Sequence, residues 1–164
     1  MKLLLKLLEE IPFFWEFTPE ERAVFADNDS FFASFKDGEY LIHEGSTDDA
    51  LFILIQGRVA VTKESHPNNV IAVLDPGAVM GEISFLTHRQ RSTNIVAQGE
   101  VTTFRVDGQT MEREGLDPVL QVKVKQQLIE IVVRRLEETN QALVRQKEMN
   151  HALAKALHKK AFGG

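Results

Sequence analysis

The sequence predicts a mainly β domain, an antiparallel sandwich or barrel, with short helices before it and one long helix after it. Its middle part consists of short apolar runs separated by turn residues, which is typical of such sheets. The flanking segments have apolar residues at helical spacing instead. A chain of 164 residues, 43% of them hydrophobic and 26% charged, has room for one compact domain and an appendage. We therefore divide it into a helical lead-in (1–29), a β domain (30–117) and a C-terminal helix (118–164).

The lead-in predicts two short helices. Four leucines share one face of the first helix: Leu3, Leu4, Leu7 and Leu8. This helix should end near Ile11, because Pro12 disfavours helical geometry in the residue before it. In the second helix Thr18 is the N-cap and Glu21 completes a capping box, and the helix should run to about Asp27.

Short strands are predicted between residues 30 and 106. They are Phe31–Phe35, Tyr40–His43, Leu51–Ile55, Arg58–Lys63, Val70–Leu74, Arg91–Ala97 and Val101–Val106. Turn dipeptides such as Asp37-Gly38, Gln56-Gly57 and Pro76-Gly77 separate them. This pattern is the basis for the antiparallel sandwich or barrel.

From residue 118 to about 160 the sequence predicts a single helix, ~65 Å long. Asp117 can cap it, and Pro118 suits its first position. A seven-residue spacing runs through it: Val122, Ile129, Leu136, Leu143, Asn150 and Leu157. This spacing predicts a parallel two-stranded coiled coil, and hence a homodimer, in which Asn150 selects the register. The alternative is that the first half packs on the β domain and the second half is solvated.

Composition and charge exclude several kinds of function. The chain has no cysteine, which excludes disulfides, thiolate zinc sites, iron–sulfur clusters and thiol catalysis. Its net charge of −5 argues against a protein built mainly to bind nucleic acid, although residues 119–164 by themselves carry +5. No apolar run approaches the ~18 residues of a membrane span, so we predict a soluble, cytoplasmic protein.

The sequence also lacks the motifs of catalysis. Its five histidines, at positions 43, 66, 88, 151 and 158, form no His-x-His pair. It has no nucleophile elbow and no glycine-rich phosphate loop with a lysine. We therefore predict no catalytic residues, no metal site and no cofactor.

The segment 81–93, with the sequence GEISFLTHRQRST, carries the clearest chemical signal. Gly81 permits a close backbone approach, and residues 83–87 can form a helical turn whose free N–H groups favour an anion. Arg91, placed at the start of the next predicted strand, is a fork-shaped donor suited to phosphate. Three further residues bring hydroxyl groups or an acceptor for them: Ser92, Thr93 and Glu82. Together these groups indicate a site for a sugar phosphate. In a strand, the side chains of Ser92 and Thr93 alternate, so one of their two hydroxyl groups would point inward.

This segment resembles the phosphate-binding cassette of the cyclic nucleotide-binding domain family, with Gly81, Glu82, Arg91 and Ser92 at the family's spacing. The resemblance covers nearly the whole chain, from IPFFWEFTPEER through DGEYLIHEG and LFILIQGRVAV to VLDPGAVMGE. It implies a jelly-roll (double-stranded β-helix) sandwich, similar to the sensor domains of catabolite-activator-type regulators and kinase regulatory subunits. It also implies a regulatory protein that binds a cyclic nucleotide and signals through its C-terminal helix.

The resemblance implies a role for each cassette residue. Glu82 would accept a hydrogen bond from the ribose 2′-hydroxyl, and Arg91 would pair with the exocyclic phosphate oxygens. Four residues would complete the phosphate cradle: Ile83 and Ser84 through their backbone, and Ser92 or Thr93 through a hydroxyl. Three features depart from the family's pattern: Met80 replaces a usual Phe, Gln90 replaces a frequent Pro, and His88 and Arg89 add basic groups beside the pocket. We expect Arg89 to be an exposed loop residue, with a contribution to phosphate binding as the alternative.

The identity of the base stays open. A hydroxyl directly after the arginine, here Ser92, occurs with guanine and with adenine; we expect cyclic AMP, with cyclic GMP as the alternative. In the family a lid from the C-terminal helix usually covers the base. The candidates here are Leu128, Ile131, Arg134 and Arg135.

Two other functions compete with this one. A structural dimerisation or docking module would keep the fold without a ligand, which the intact Glu82, Arg91 and Ser92 disfavour. A transcription factor of this type would carry a DNA-reading helix-turn-helix after the long helix. Only three residues follow it here, so we expect no direct DNA binding. The effector partner is not evident from the sequence.

Overall fold

The computed structural model describes residues 2–66 and 69–162 and divides the chain into two compact units, 1–125 and 126–164. Within the described residues the α-helices are α1 (Lys2–Glu10), α2 (Pro19–Ala26), α3 (Glu82–Thr87), α4 (Gly108–Arg113) and α5 (Pro118–Phe162). Short 3₁₀ helices cover Pro12–Phe14 and Asp29–Phe31. The boundary that we placed after residue 117 coincides with the start of α5, whereas the two units separate inside this helix.

The strands of the described residues form one antiparallel sheet, which confirms the predicted fold class. They are β1 (Phe32–Phe35), β2 (Tyr40–Ile42), β3 (Leu51–Thr62), β4 (Ala72–Leu74), β5 (Val79–Met80) and β6 (Asn94–Val106). The long strands β3 and β6 pair with each other in the centre. β1 and β2 pair with β6, and β4 and β5 pair with β3.

Two predicted turns are bends inside continuous strands. The sequence predicted separate strands on either side of Gln56-Gly57 and of 98–100, but β3 and β6 each run through these positions. Gly57 has φ +90°, and the pairing register of β3 with β6 shifts on both sides of Gln56. A Cβ on Gly57 would collide with the carbonyl oxygen of Glu100 in the partner strand. The glycine therefore permits a close approach of two bent strands rather than a chain reversal. The sequence did not predict β5 or α4.

The helices of the lead-in form as predicted. Glu21 donates its backbone N–H to the Thr18 hydroxyl at 3.2 Å, and Thr18 donates its own N–H to the Glu21 carboxylate at 2.7 Å. This reciprocal pair is the expected capping box. The Glu21 carboxylate also accepts a hydrogen bond at 2.6 Å from Lys123, in the first part of α5.

A cluster of phenylalanines joins the lead-in to the sheet. Four buried members come from the lead-in, Phe13, Phe14, Phe17 and Phe25, and a fifth, Phe31, ends the 3₁₀ helix Asp29–Phe31. Phe104 of β6 is fully buried among them, with its ring centroid 5.1 Å from that of Phe14 and 5.3 Å from that of Phe25, both edge to face. Aromatic pairs in this arrangement contribute about 0.5–1.5 kcal/mol beyond the area they bury.

A second apolar core lies within the sheet. It is formed by Leu41, Ile42, Ala50, Phe52, Leu54, Val59, Met80, Ile95, Ala97 and Val101. Met80 is its member closest in sequence to the 81–93 segment, and β5 ends with this residue. Burial of Met80 thus fixes the point from which the chain enters α3.

The long helix forms as predicted. Its first turn is capped by the Asp117 carboxylate, which accepts a hydrogen bond from the N–H of Val119 at 2.7 Å. In the second unit the apolar residues at seven-residue spacing, Ile129, Leu136, Leu143 and Leu157, are 51–60% exposed. The unit on its own therefore leaves the apolar stripe of the predicted coiled coil uncovered.

Candidate ligand-binding site

Residue Gly81 sets the start of the site. Its φ is +81°, a left-handed conformation that glycine adopts without a steric penalty, and α3 begins at the next residue. A Cβ at this position would collide with a guanidinium nitrogen of Arg91 and lie 2.8 Å from the carbonyl oxygen of Ala50. Glycine is thus required here both by conformation and by the space that Arg91 occupies.

The predicted helical turn is present as α3, one residue longer than expected. It carries Glu82, Ile83 and Ser84 at its start. The first N–H groups of an α-helix point towards its N-terminus, where an anion can accept from them. The Ser84 side chain is buried and the Ile83 side chain is exposed. The helix ends at Thr87, and its C-cap His88 has φ +53° and donates its backbone N–H to the Ser84 carbonyl at 2.8 Å.

Arg91 lies outside the sheet, which corrects the sequence analysis. β6 begins only at Asn94, so Arg91, Ser92 and Thr93 belong to the loop before it and do not alternate as a strand would. Ser92 is exposed and Thr93 is half-buried. The backbone of Arg91 is nevertheless fixed, because its N–H donates to the carbonyl of Ser46 at 2.9 Å and its carbonyl accepts from Gly45 at 2.8 Å.

The guanidinium of Arg91 is buried and surrounded by acceptors. Its Nη1 donates to the Gly81 carbonyl at 3.2 Å, and its Nη2 donates to the Ala50 carbonyl at 2.5 Å. Its strongest partner is Asp48, whose Oδ1 lies 2.5 Å from Nη2 and whose Oδ2 lies 3.4 Å from Nε. The structure thus brings Arg91 against Gly81 and adds two residues that the sequence did not point to, Asp48 and Ala50.

Asp48 keeps its negative charge in this setting. Burial tends to raise the pKa of its carboxyl, but hydrogen bonds from Arg91 and Ser46 and the positive charge of Arg91 outweigh burial, so the pKa is lowered. The sequence contained one signal for this role. Asp48 lies three residues before a strongly apolar strand, and a buried arginine needs a carboxylate nearby.

Residues 88–90 of the segment are exposed. His88 is 77% exposed and pairs with Asp49 through a 3.1 Å contact to its Nδ1. Arg89 and Gln90 are exposed.

The candidate lid residues, Leu128, Ile131, Arg134 and Arg135, all lie on α5 in the second unit. Their role stays a prediction.

In chemical terms the site combines a buried cation with a helix N-terminus. The Arg91 guanidinium lies directly against the residue that precedes α3, and the partial positive charge of the first turn adds to its own. Such an arrangement offers charge-assisted hydrogen bonds of the kind that an anion accepts. In the part of the chain that the structure describes, no three histidine or acidic side chains are grouped to hold a metal ion. Among the same residues no helix is long and apolar enough to span a bilayer.

Comparison with known proteins places this geometry in a family context. A family model described as "Cyclic nucleotide-binding domain" matches residues 32–114. The cAMP-dependent protein kinase regulatory subunit of Dictyostelium discoideum is 32% identical over 85 residues, which are 49% of this chain and 26% of that protein. The chain therefore spans only a minor part of the length of this relative.

Solved structures show the same fold. The structure of cAMP-bound PfPKA-R is 27% identical with a TM-score of 0.62, over 89% of this chain and 47% of that one. A cyclic nucleotide-binding domain from Methylobacillus flagellatus is 24% identical with a TM-score of 0.67, over 88% of this chain and 83% of that one.

Proposed function

Because the chain belongs to the cyclic nucleotide-binding domain family, we propose that it is a regulatory protein that binds cyclic AMP through residues 81–93. The observation that carries this proposal is the buried Arg91 guanidinium, hydrogen-bonded at 3.2 Å to the carbonyl of the residue that precedes α3. A buried cation beside the N–H groups of a helix N-terminus suits the phosphate of such a ligand.

Within this proposal the cassette residues keep the roles that the resemblance implies. Arg91 pairs with the exocyclic phosphate oxygens, and Glu82 accepts a hydrogen bond from the ribose 2′-hydroxyl. The first-turn N–H groups of Ile83 and Ser84, which α3 leaves without helical partners, add donors to the phosphate. Ser92 or Thr93 adds a hydroxyl; Thr93 is the less exposed of the two.

Two observations support cyclic AMP as the ligand. The Dictyostelium relative is named as a cAMP-dependent regulatory subunit, and the PfPKA-R structure is described as cAMP-bound. Cyclic GMP is the alternative, because Ser92 suits either base. We also infer a regulatory rather than a catalytic role from these relatives.

We further propose that the protein forms a homodimer through the exposed stripe of α5 and signals through this helix. The stripe follows a heptad spacing, and Asn150 occupies a core position where it would set a parallel, two-stranded register. Ligand binding can act on the helix only if the two states of the protein differ in affinity for the ligand. The lid candidates Leu128, Ile131, Arg134 and Arg135 provide a place for that difference.

The test is a binding titration with cyclic AMP, cyclic GMP and the non-cyclic nucleotide AMP on ligand-free protein. We expect cyclic AMP to bind, and Arg91→Ala to weaken binding about tenfold to a hundredfold, since a hydrogen bond to a charged group is worth about 1.5–3 kcal/mol. Arg89→Ala, which removes an exposed arginine two residues away, is the matched control and should bind normally. If the folded wild type binds neither cyclic nucleotide, the dimerisation module without ligand becomes the better interpretation.

A further inference from the structure

We propose that a small cavity beside the second half of α3 binds a small monocarboxylate that carries an aromatic ring or a branched apolar chain. The cavity, which we call the side cavity, has a volume of about 190 Å³. Seven residues of the first compact unit line it: Asp49, Phe85, Leu86, His88, Gly108, Met111 and Lys125. None of the seven has a role in the proposed cyclic nucleotide site, so this inference does not depend on that function.

The most buried residues of the side cavity are apolar. Phe85 of α3 is 7% exposed and Met111 of α4 is 2% exposed, and Leu86 is half-buried. The exposed lining residues form the rim, so a ligand that enters from solvent meets an apolar base. A phenylalanine ring and a methionine sulfur both pack well against an aromatic ring.

The volume limits the size of the ligand. An apolar cavity of about 150 Å³ is large enough to bind benzene, so the side cavity has room for one ring or a branched chain of similar size. Sites for drug-sized ligands usually measure about 300–1,000 Å³. A whole nucleotide, with its base, sugar and phosphate, is therefore too large for this cavity.

Hydrogen bonds hold the walls of the side cavity in place. Phe85 donates its backbone N–H to the Gly81 carbonyl at 3.0 Å, and the Met111 carbonyl accepts from the N–H of Leu116 at 3.0 Å. The Asp107 carboxylate caps α4 by accepting from the N–H of Thr110 at 2.6 Å. A cavity with fixed walls needs little ordering when a ligand enters, which favours binding.

The polar groups of the rim favour an anion. Among the described residues that line the cavity, Asp49 alone has a carboxylate, and the His88 ring already lies 3.1 Å from it. Lys125, which is exposed, adds a positive charge at the same rim. An ammonium group beside an apolar base can pair with the carboxylate of a ligand whose apolar part is buried. A single lysine suits a single negative charge.

Methionine methyl NMR on the full, ligand-free chain tests the proposal. Met111 lines the side cavity, Met80 directly precedes Gly81, and Met149 lies on α5 in the second unit. The probes are benzoate and isovalerate, and Met111→Leu assigns the Met111 signal. We expect both carboxylates to shift this signal in a saturable manner, with a Kd of about 1 mM for ligands of this size. The signals of Met80 and Met149 should stay in place.

Two lysine variants and a cationic probe test the preference for an anion. Lys125→Gln should weaken binding of both carboxylates about twofold to fivefold, which is the range for an exposed ion pair. Lys36→Gln is the matched control, because it removes the same charge from an exposed lysine that does not line the cavity. Benzylamine, a cation of similar size to benzoate, should bind the wild type more weakly than benzoate does.

A saturable shift of Met111 that weakens in Lys125→Gln but not in Lys36→Gln supports the proposal. A shift of Met80 in place of Met111 would locate the probe at the cassette instead, and the proposal would be wrong. It would be equally wrong if Met111 showed no saturable shift up to about 20 mM of either carboxylate, well above the expected Kd. Unchanged binding in Lys125→Gln, an equal loss in Lys36→Gln or equal binding of benzylamine would contradict recognition of an anion by Lys125. No cyclic nucleotide is present in these titrations, so their failure leaves the proposed function untouched.

Discussion

Replacing Gly81 by alanine should both destabilise the fold and disable the cassette. A left-handed conformation such as φ +81° costs an L-residue about 1–2 kcal/mol. The new methyl group would also overlap a nitrogen of Arg91 and lie 2.8 Å from the Ala50 carbonyl oxygen. Arg91 has little room to yield, since its buried side chain is held by Asp48 and by the same carbonyl.

Substitution of Gly38 serves as a control that separates the cost of backbone conformation from the cost of steric overlap. The φ of this residue is +80°, almost the same, but a Cβ there would meet no atom within 4 Å. We expect Gly38→Ala to lower the free energy of unfolding by about 1–2 kcal/mol, from backbone conformation alone. Gly81→Ala should lower it by about 2–5 kcal/mol, because relieving an overlap in a packed site adds about 1–3 kcal/mol.

Urea unfolding followed by circular dichroism measures both losses, and a cyclic AMP titration completes the test. We expect Gly81→Ala to bind at least tenfold more weakly, because Arg91 must shift, and Gly38→Ala to bind as the wild type does. Equal destabilisation by the two substitutions would refute the argument that Arg91 fills the space beside Gly81.

Two further predictions concern the lead-in and the long helix. The Lys123 hydrogen bond lowers the pKa of Glu21, with help from the Thr18 N–H and despite burial. The carboxylate therefore stabilises the fold at neutral pH, and this contribution disappears as the pH falls below about 4. Glu21→Gln should accordingly lower the Tm at pH 7, and the difference should shrink as the pH falls through the lowered pKa of Glu21; a constant difference would contradict this origin. Leu143→Lys should shift sedimentation from dimer to monomer, whereas the equally exposed, off-register Val144→Lys should not. If both variants sediment as dimers, the α5 stripe is not the dimer interface.

Local signals in the sequence were enough to predict the ends of most elements. The capping box of Thr18 and Glu21, the short α3 and the start of α5 after Asp117 all depend on residues within a few positions of one another. Such short-range hydrogen bonds are encoded where they form. The antiparallel class followed equally well from the spacing of apolar runs.

Long-range contacts account for what the sequence did not predict. Gly57 was expected to lie in a turn that ends a strand. Its backbone instead approaches the Glu100 carbonyl of the partner strand closely, and β3 continues through it. Arg91 was expected in a strand, but hydrogen bonds to Gly45 and Ser46 hold it in a loop. Asp48 was not expected in the site, because its pairing with Arg91 joins residues 43 positions apart. Each error concerns a contact that exists only after the sheet has formed.

The phenylalanine cluster has a practical consequence for the limits of the folding unit. The family match begins at residue 32, yet Phe104 of β6 is covered by Phe14, Phe25 and Phe31, all of which precede that point. A chain trimmed to the matched residues would expose a wide aromatic surface on its central strand. It should therefore aggregate or fail to fold, although it contains the whole of the segment 81–93. The smallest autonomous piece of this protein is larger than the piece by which its family is recognised.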